Sequence, residues 1–456
     1  MEKLRGHLNR ELTSDLFTWD EMKKMLITLL LDQFCINLLG LLSTSLVSSV
    51  GPAAIAAVSM VGTINNMVSL VFTSLASGGG IVVARAKGRG DALEIRRTIG
   101  EVIALCGLSS IFLSGFLYGL APVLVNTLYP SVEAQVTEYG IEYMRLMAIS
   151  FLPYSVFCAI FNIFRNLGDT RSGLFLTLVI NIVHLLLSLL FINGMGLGVT
   201  GSGYSYIFAR IIGMAVALLW ILKVHNPYAV RLTHFFRFSR HVTHEIMQLG
   251  LPMILESLLI QGGMLLVQVY LARLTTEDMA AHAVAGALYN LFQSPTGALT
   301  PLLGTVCGQC FGAGQLDLMK HYARKINSLG RFVILFMDLA LLPLLPLMLR
   351  LYNASPGSYS TILTALGIGV ASTILLWGDA YLNAMLLRVT GDGMYTSIVA
   401  FITLFLGRCL CGYLLALPLG LRCIGIWIGL AIEHLLRAVI FRLRLRGSRW
   451  LHVSQA

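Results

Sequence analysis

Charged side chains are scarce in this sequence. Asp, Glu, Lys and Arg together make up only 12% of its 456 residues, whereas hydrophobic residues make up 57%. Such a composition leaves too little polar surface to cover a water-soluble particle of this size. The sequence therefore predicts an integral membrane protein.

The sequence also lacks the residue clusters on which catalytic and metal sites are built. Cys307 and Cys310 have CxxC spacing, but they fall in an apolar stretch and no second ligand cluster accompanies them. Residues 88–91 resemble a phosphate-binding loop without the Gly-Lys-Ser/Thr that should follow. No nucleophile–base pair stands out. We therefore expect packing cysteines, no catalytic residues and no cofactor, and an intramembrane enzyme is the least favoured alternative.

Long apolar stretches recur along the whole chain. About twelve of them are long enough to cross a hydrocarbon core of about 30 Å. Because lipid cannot hydrogen-bond a bare backbone, each should be a helix, and all are too long for barrel strands. We predict an all-α membrane protein with spans at 22–50, 54–84, 98–128, 137–164, 172–194, 199–223, 245–272, 279–308, 328–350, 358–387, 394–418 and 422–441.

The two halves of the chain repeat each other, because rare polar residues recur at offsets of 223 to 227. The matching pairs include Asp32 and Glu256, His184 and Arg408, Gly168 and Gly391, and Arg210 and Arg437. A duplication of half the chain is typical of a two-bundle transporter. We predict an N-terminal six-helix bundle at 1–224, a cytoplasmic linker at 225–243 and a C-terminal six-helix bundle with a basic cytoplasmic tail at 244–456. A pseudo-two-fold axis along the membrane normal should relate the bundles, with a central cleft between them.

The net charge of +10 is distributed unevenly among the loops. Lys and Arg cluster in alternate loops, in both terminal segments and in the linker, whereas the opposite face receives only Arg273, Arg350 and Arg422. This asymmetry follows the positive-inside rule and predicts cytoplasmic termini in the plasma (inner) membrane, with lipids and not nucleic acid as partners. The first twenty residues lack an apolar core with a cleavage site, so we expect no removable signal peptide.

Several short motifs resemble those of the multidrug and toxic compound extrusion (MATE) family. The sequence RNLGDT at 165–170 and the sequence LRVTGD at 387–392 are similar to a turn that this family carries in each half. Leu251 and Pro252 precede Glu256, AAHA occupies 280–283, and Gly308-Gln309 precedes Gly312-Ala313-Gly314. The order and spacing of these motifs extend the resemblance over essentially the whole chain.

The resemblance implies a twelve-helix antiporter that expels amphipathic, often cationic, organic compounds in exchange for sodium ions or protons. No cofactor beyond the coupling ion is implied, and a monomer is expected. The alternative is a lipid-linked saccharide flippase of the same superfamily, which would need several cationic side chains in its cleft. The candidates for that role are Arg145, Arg210, Arg408 and Arg437, while Glu256 and Asp379 favour an exporter.

Three acidic residues are candidates for coupling an ion or a proton to transport. Glu256 lies about 16 Å into its helix, near the middle of the bilayer, and coincides with a functional glutamate of the family. Asp379 should lie at a comparable depth, so the two acids could share a proton or hold a sodium ion. Asp32 is the repeat equivalent of Glu256, but the family usually carries the acid of its first helix at a later position. For each acid a purely structural hydrogen bond is the alternative.

Six further residues are candidates for the substrate cavity. They are Asn181 and His184 on the fifth span, and Tyr289, Phe292, Trp377 and Tyr381 on two helices of the second half. Aromatic faces attract organic cations by about 0.5 to 2 kcal/mol each, and core packing is the alternative for each of them. A lone intramembrane histidine is more often a packing residue than a proton carrier.

The expected mechanism is alternating access between the two sides of the membrane. A coupling ion or a proton would bind Glu256 and Asp379 from outside and displace the substrate outward. Both ligands would then compete for the same acidic site.

Overall fold

All regular structure in the described part of the chain is helical. The computed structural model describes residues 16–47, 52–129, 133–225, 227–352, 355–447 and 450. Ten of its helices are long and apolar enough to cross a membrane, and they coincide with ten predicted spans. The other two predicted spans, 22–50 and 279–308, correspond to one helix and to a pair of shorter helices. The prediction of an all-α membrane fold is confirmed, while residues 48–50 of the first span lie outside the described residues.

The described residues of the first half form six long helices. They are α1 (Trp19–Val47), α2 (Pro52–Arg89), α3 (Ala92–Leu128), α4 (Ala134–Asn166), α5 (Thr170–Ser188) and α6 (Gly198–Leu219). Helices α5 and α6 continue as π-helical turns at Leu189–Gly194 and Trp220–Val224. A 3₁₀ turn, Leu232–Phe236, follows in the linker.

The helices of the second half are interrupted more often than those of the first. The second half comprises α7 (Arg240–Leu271), α8 (Thr276–Phe292), α9 (Thr296–Gly312), α10 (Leu316–Leu341), α11 (Leu345–Leu351), α12 (Tyr359–Ser372), α13 (Asn383–Val389), α14 (Gly393–Thr403), α15 (Gly412–Ala416) and α16 (Arg422–Arg446). Helix α12 runs into α13 through a π-helical segment at Thr373–Leu382, and α14 runs into α15 through another at Leu404–Cys411. Short 3₁₀ turns lie at Leu342–Leu344 and Pro356–Ser358.

Contacts divide the chain into two compact units. The N-unit is Phe34–Ile254, and the C-unit joins Met1–Gln33 to Leu255–Ala456. The boundaries therefore fall inside α1 and α7, whereas the sequence placed the division at 224 and 244. The predicted division at 224 and 244 stays a prediction. It follows the sequence repeat, whereas the two units are defined by packing contacts. Residues 1–15 and 451–456 lie outside the described residues.

The start of α1 and the residues just before it belong to the C-unit, and their side chains pack there. Phe17 meets the ring of Tyr322 edge-on at 6.2 Å, and the Tyr322 hydroxyl donates to the Phe17 carbonyl at 3.3 Å. Gln33 lies against Gly297 so closely that a Cβ atom at 297 would lie 2.6 Å from the Gln33 side chain. The hydrophobic periodicity of the sequence does not indicate which unit the start of α1 packs against.

The linker is packed onto α3 within the N-unit. The carboxylate of Glu101 accepts a hydrogen bond from the Ser239 amide at 3.1 Å and another from the Thr243 hydroxyl. The His234 backbone lies against Gly100, where a side chain would clash. These contacts fix the course of the chain between the repeats.

The duplicated turn, which comprises residues 165–170 in the first half and 387–392 in the second, has the same geometry in both halves. Gly168 and Gly391 have φ values of +86° and +98°, a region that favours glycine. The Asp169 amide donates to the Phe164 carbonyl at 3.0 Å, and the Asp392 amide donates to the Leu387 carbonyl at 2.9 Å. The repeat found in the sequence is thus a structural repeat at this turn.

Replacing Gly391 with alanine should lower the free energy of unfolding by about 1 to 2 kcal/mol, because an L side chain is strained at positive φ. Thermal unfolding of the purified protein in detergent measures the effect. The matched control is Gly62→Ala in α2, where the added methyl group meets no atom within 4 Å. The control should be neutral or stabilising. A Gly391→Ala protein as stable as the control protein would contradict the prediction.

Candidate functional site

Glu256 is held by an arginine from the duplicated turn. It lies buried on α7, and its Oε2 atom is 2.5 Å from Arg388 Nη2. Ser397 on α14 donates its hydroxyl to the same oxygen at 3.1 Å. Arg388 also donates from Nε to the Thr396 hydroxyl at 3.3 Å. The carboxylate is therefore neutralised and hydrogen-bonded inside the C-unit.

Asp379 is held by two arginines and an amide. Its Oδ1 accepts a hydrogen bond from Asn327 Nδ2 at 3.2 Å. Its Oδ2 pairs with Arg331 Nη2 at 2.6 Å and with a terminal nitrogen of Arg442. Two guanidinium groups around one carboxylate leave an excess of positive charge.

The backbone around Asp379 explains how the amide reaches it. Asp379 lies on the π-helical segment Thr373–Leu382, and such segments are frequent at functional sites. The preceding residue, Gly378, lies so close to the Asn327 amide that a Cβ atom would collide with it. Glycine at 378 therefore permits the hydrogen bond between Asn327 and Asp379.

The two predicted coupling acids have different arginine partners. Glu256 pairs with Arg388, whereas Asp379 pairs with Arg331 and Arg442. The idea that the two carboxylates share one proton or one ion stays a prediction.

The remaining polar candidates lie on other helices: Asp32 on α1, and Asn181 and His184 on α5. Asp32 is 2% exposed on the part of α1 that belongs to the C-unit. Asn181 and His184 lie on α5 in the N-unit, where the Asn181 amide donates to the Thr177 carbonyl at 2.8 Å. The His184 ring contacts the Tyr206 ring at a centroid distance of 4.1 Å. The Asn181 contact is within its own helix, which agrees with a packing role.

The C-unit contains a cavity of about 560 Å³. Two of the four aromatic candidates, Tyr289 and Tyr381, line it. Phe292 is 2% exposed in the hydrophobic core, and Trp377 is buried and stacks on Tyr381 at 5.6 Å. Phe292 and Trp377 are therefore packing residues and do not line this cavity, because the rotation of each helix decides which of its side chains face the cavity.

The cavity wall is aromatic and polar. Tyr289 shares a hydrogen bond with the Thr373 hydroxyl at 2.9 Å and meets Trp427 edge-on at 5.3 Å. Tyr381 meets the His434 ring edge-on at 5.6 Å. The amides that line the cavity are Gln268, Asn290 and Gln293, and His282 lines it as well. Such a lining suits an amphipathic organic molecule, which needs apolar contact and a few hydrogen bonds.

Among the described residues that line this cavity, Arg408 is the only one with a charged side chain. Its Nε atom lies 2.6 Å from Glu433 Oε2, and the other carboxylate oxygen lies 2.9 Å from Arg437 Nη2. Arg437 is 1% exposed and also donates to the Ala400 carbonyl at 3.1 Å. The Glu433–Arg437 pair, four residues apart on α16, is the structural ion pair that helical spacing predicts.

Sequence reasoning missed several of these residues. Arg331 and Arg442 were assigned to the basic cytoplasmic loops, and only their pairing with Asp379 reveals a further role. His434 and Trp427 on α16 had no motif to single them out. His282 lies in the AAHA motif, and that motif was the available sequence signal for this residue.

Comparison with known proteins identifies the family. The MatE family profile matches residues 29–190 and 252–414, one match in each repeat. The protein named "Probable multidrug resistance protein NorM" of Thermotoga maritima is 22% identical over 440 residues, which cover 94% of this chain and 93% of that protein. The "Uncharacterized transporter YisQ" of Bacillus subtilis is 22% identical over 437 residues, which cover 92% of each protein.

Solved structures share the fold. A multidrug resistance MATE family transporter of the MOP superfamily, in an outward-facing conformation, has a TM-score of 0.86 at 18% identity, covering 94% of this chain and 96% of that one. A MOP superfamily transporter from Pyrococcus furiosus, described as having a binding pocket of reverse polarity, has a TM-score of 0.84 at 18% identity, covering 96% of each chain. Since the family profile matches more than half of the sequence, the resemblance is confirmed: the chain belongs to the MatE family, whose members are membrane transporters and not enzymes.

Proposed function

We propose that the chain is a secondary active antiporter that exports amphipathic organic compounds, cationic ones among them, in exchange for sodium ions or protons by alternating access. The observation that carries the proposal is the pair of buried carboxylates, Glu256 and Asp379, each held by arginine in an otherwise apolar helical protein. Relatives named as multidrug resistance proteins support the substrate class.

The ion pairs supply the coupling step. Arginine does not lose its proton in proteins, so only the carboxylate side of the Glu256–Arg388 pair can change its charge. A proton on Glu256 removes the charge that holds Arg388, and a sodium ion at Glu256 competes with Arg388 for the same oxygens. Either event releases α7 from the duplicated turn. Binding of the coupling ion thereby changes the contacts between helices.

The cavity supplies the substrate site. Its volume of about 560 Å³ lies within the range of about 300 to 1,000 Å³ that is usual for ligand pockets. Tyr289, Tyr381 and Trp427 offer aromatic faces to a flat organic molecule. The charge of Arg408 is partly offset by Glu433, which also holds Arg437, so shape and aromatic contact act together with a residual positive charge.

We further propose the topology that the basic loops indicate. Both termini and the linker lie in the cytoplasm, the membrane is the plasma (inner) membrane, and the working form is a monomer. The clustering of Lys and Arg in alternate loops supports this orientation.

The cationic side chains that a flippase would need are largely engaged. Arg210 is 5% exposed, lies 4.2 Å from the centre of the Tyr154 ring and donates to the Ser150 hydroxyl at 2.6 Å. Arg437 is enclosed by Glu433 and the Ala400 carbonyl. These contacts favour the exporter over a carrier of lipid-linked pyrophosphate.

Replacing Glu256 with glutamine should abolish gradient-driven accumulation of a dye in inverted vesicles, because the coupling carboxylate is lost. A panel of cationic dyes under separately imposed sodium and pH gradients identifies the coupling ion in the wild type. The control, Asp317→Asn, removes a fully exposed carboxylate of the same unit and should transport normally. Normal coupled transport by inserted Glu256→Gln protein would refute the proposal.

The Glu256–Arg388 pair should show strong energetic coupling in a double-mutant cycle. Glu256→Gln and Arg388→Gln should each lower the free energy of unfolding by about 3 kcal/mol, and the double variant should lose less than the sum, because breaking a buried pair leaves a buried charge. The control is the Arg89–Glu94 pair, whose side chains are 34% and 27% exposed at 2.6 Å separation. Its coupling should be at most about 1 kcal/mol. Equal coupling in the two cycles would contradict the role given to burial.

Replacing Arg408 with glutamine should shift selectivity between a cationic and an anionic dye of similar size. Removing a positive charge near the substrate favours the cation by roughly 1 kcal/mol, about fivefold in relative kcat/KM. The control, Arg350→Gln, removes an exposed charge from the same unit and should leave the ratio unchanged. An unchanged ratio in Arg408→Gln protein would show that substrates do not occupy this cavity.

A further inference from the structure

A second cavity of the C-unit is strongly basic. It has a volume of about 580 Å³ and lies where the beginning of α10 meets the end of α16. Four cationic side chains line it: Lys320 and Arg324 from α10, and Arg442 and Arg446 from α16. Among the lining residues that the structure describes, Asp379 is the one acid. The cavity therefore carries a net positive charge.

Asp379 neutralises only part of this charge, because it pairs with just one of the four groups, Arg442. Its two oxygens are already occupied by Asn327, Arg331 and Arg442. Lys320 lies 4.0 Å from a carboxylate oxygen of Asp317, whose side chain is fully exposed, and such surface pairs contribute little. A positive field thus remains at Lys320, Arg324 and Arg446.

Apart from Asn327 and Asn383, the rest of the wall is apolar or aromatic. Leu386 and Leu445 line the cavity together with Trp450, which is 3% exposed. The Lys320 ammonium group lies 5.9 Å from the centre of the Trp450 ring, and the indole nitrogen donates to the Leu445 carbonyl at 3.3 Å. Tryptophan with basic residues is typical of the level at which lipid headgroups lie. The wall thus combines positive charge with apolar and aromatic surface.

We propose that this cavity binds a phosphate-bearing anion, and that its natural occupant is the headgroup of an acidic phospholipid. Guanidinium groups match phosphate geometry with paired hydrogen bonds, and basic pockets between membrane helices bind anionic headgroups. In the proposed topology the lining ends of α10 and α16 are cytoplasmic, so the headgroup comes from the inner leaflet.

Occupancy of this site changes the partners of a coupling acid. A bound phosphate takes up donors and part of the charge of Arg442, whose guanidinium group also holds the Asp379 carboxylate. Asp379 is then held mainly by Arg331 and Asn327. The acidic lipid content of the membrane thereby influences how readily Asp379 accepts a coupling ion.

The test uses the full-length protein in detergent, titrated with short-chain phosphatidylglycerol, short-chain phosphatidylcholine or inorganic phosphate. The variant is the double substitution Arg324→Gln and Arg446→Gln, which removes two cavity charges that do not pair with Asp379. The control is Arg97→Gln with Arg171→Gln, which removes two exposed charges from the N-unit. The thermal unfolding midpoint at each ligand concentration gives the apparent affinity.

We expect phosphatidylglycerol to bind the wild type and the control equally, and the cavity variant about tenfold more weakly or worse. Arg324→Lys with Arg446→Lys keeps both charges and should retain most of the affinity, which separates lost charge from lost folding. A similar dependence with inorganic phosphate would also support the site and show that soluble phosphates occupy it. Equal affinities in the cavity and control variants, or an equal response to phosphatidylcholine, would overturn the proposal.

Discussion

A charged carboxylate inside an apolar helical protein must be paired, and this requirement organises the C-unit. Glu256 is paired with Arg388, and Asp379 is paired with Arg331 and Arg442. An unpaired charge at this depth costs several kcal/mol, whereas a hydrogen-bonded pair is tolerated. Since the arginines keep their protons, the proposed mechanism opens each pair by placing a proton or a cation on the acid. Under that proposal, the contacts that make the buried acids tolerable also make them sensitive to a coupling ion.

Two backbone features place these charges. Arg388 stands at the duplicated turn, whose chain reversal requires glycine at 391. Asp379 stands on a π-helical segment, where Gly378 admits the Asn327 amide. A second π-helical segment carries Arg408 to the wall of the aromatic cavity. Departures from regular α-helix thus place Arg388, Asp379 and Arg408, whereas Glu256 lies on the regular helix α7.

The sequence predicted the helical spans well because membrane helices must be continuously apolar, and twelve such stretches are easily recognised. It also singled out Glu256 and Asp379, because acids are rare in such stretches. It could not predict their arginine partners, since pairing of α7 with the turn at 388 depends on helix crossing and rotation. For the same reason Tyr289 and Phe292, three residues apart on one helix, were treated alike although only Tyr289 lines the cavity. The assignment of residues 17–33 to the C-unit likewise depends on tertiary packing.

The most direct measurement is the equilibrium affinity of the purified protein for a transported dye across a range of pH and sodium concentration. If loading of the Glu256 carboxylate expels the substrate, either protons or sodium ions should weaken dye binding by about tenfold or more, and the Glu256→Gln protein should show no such dependence. A wild-type affinity that is independent of both pH and sodium would contradict the account.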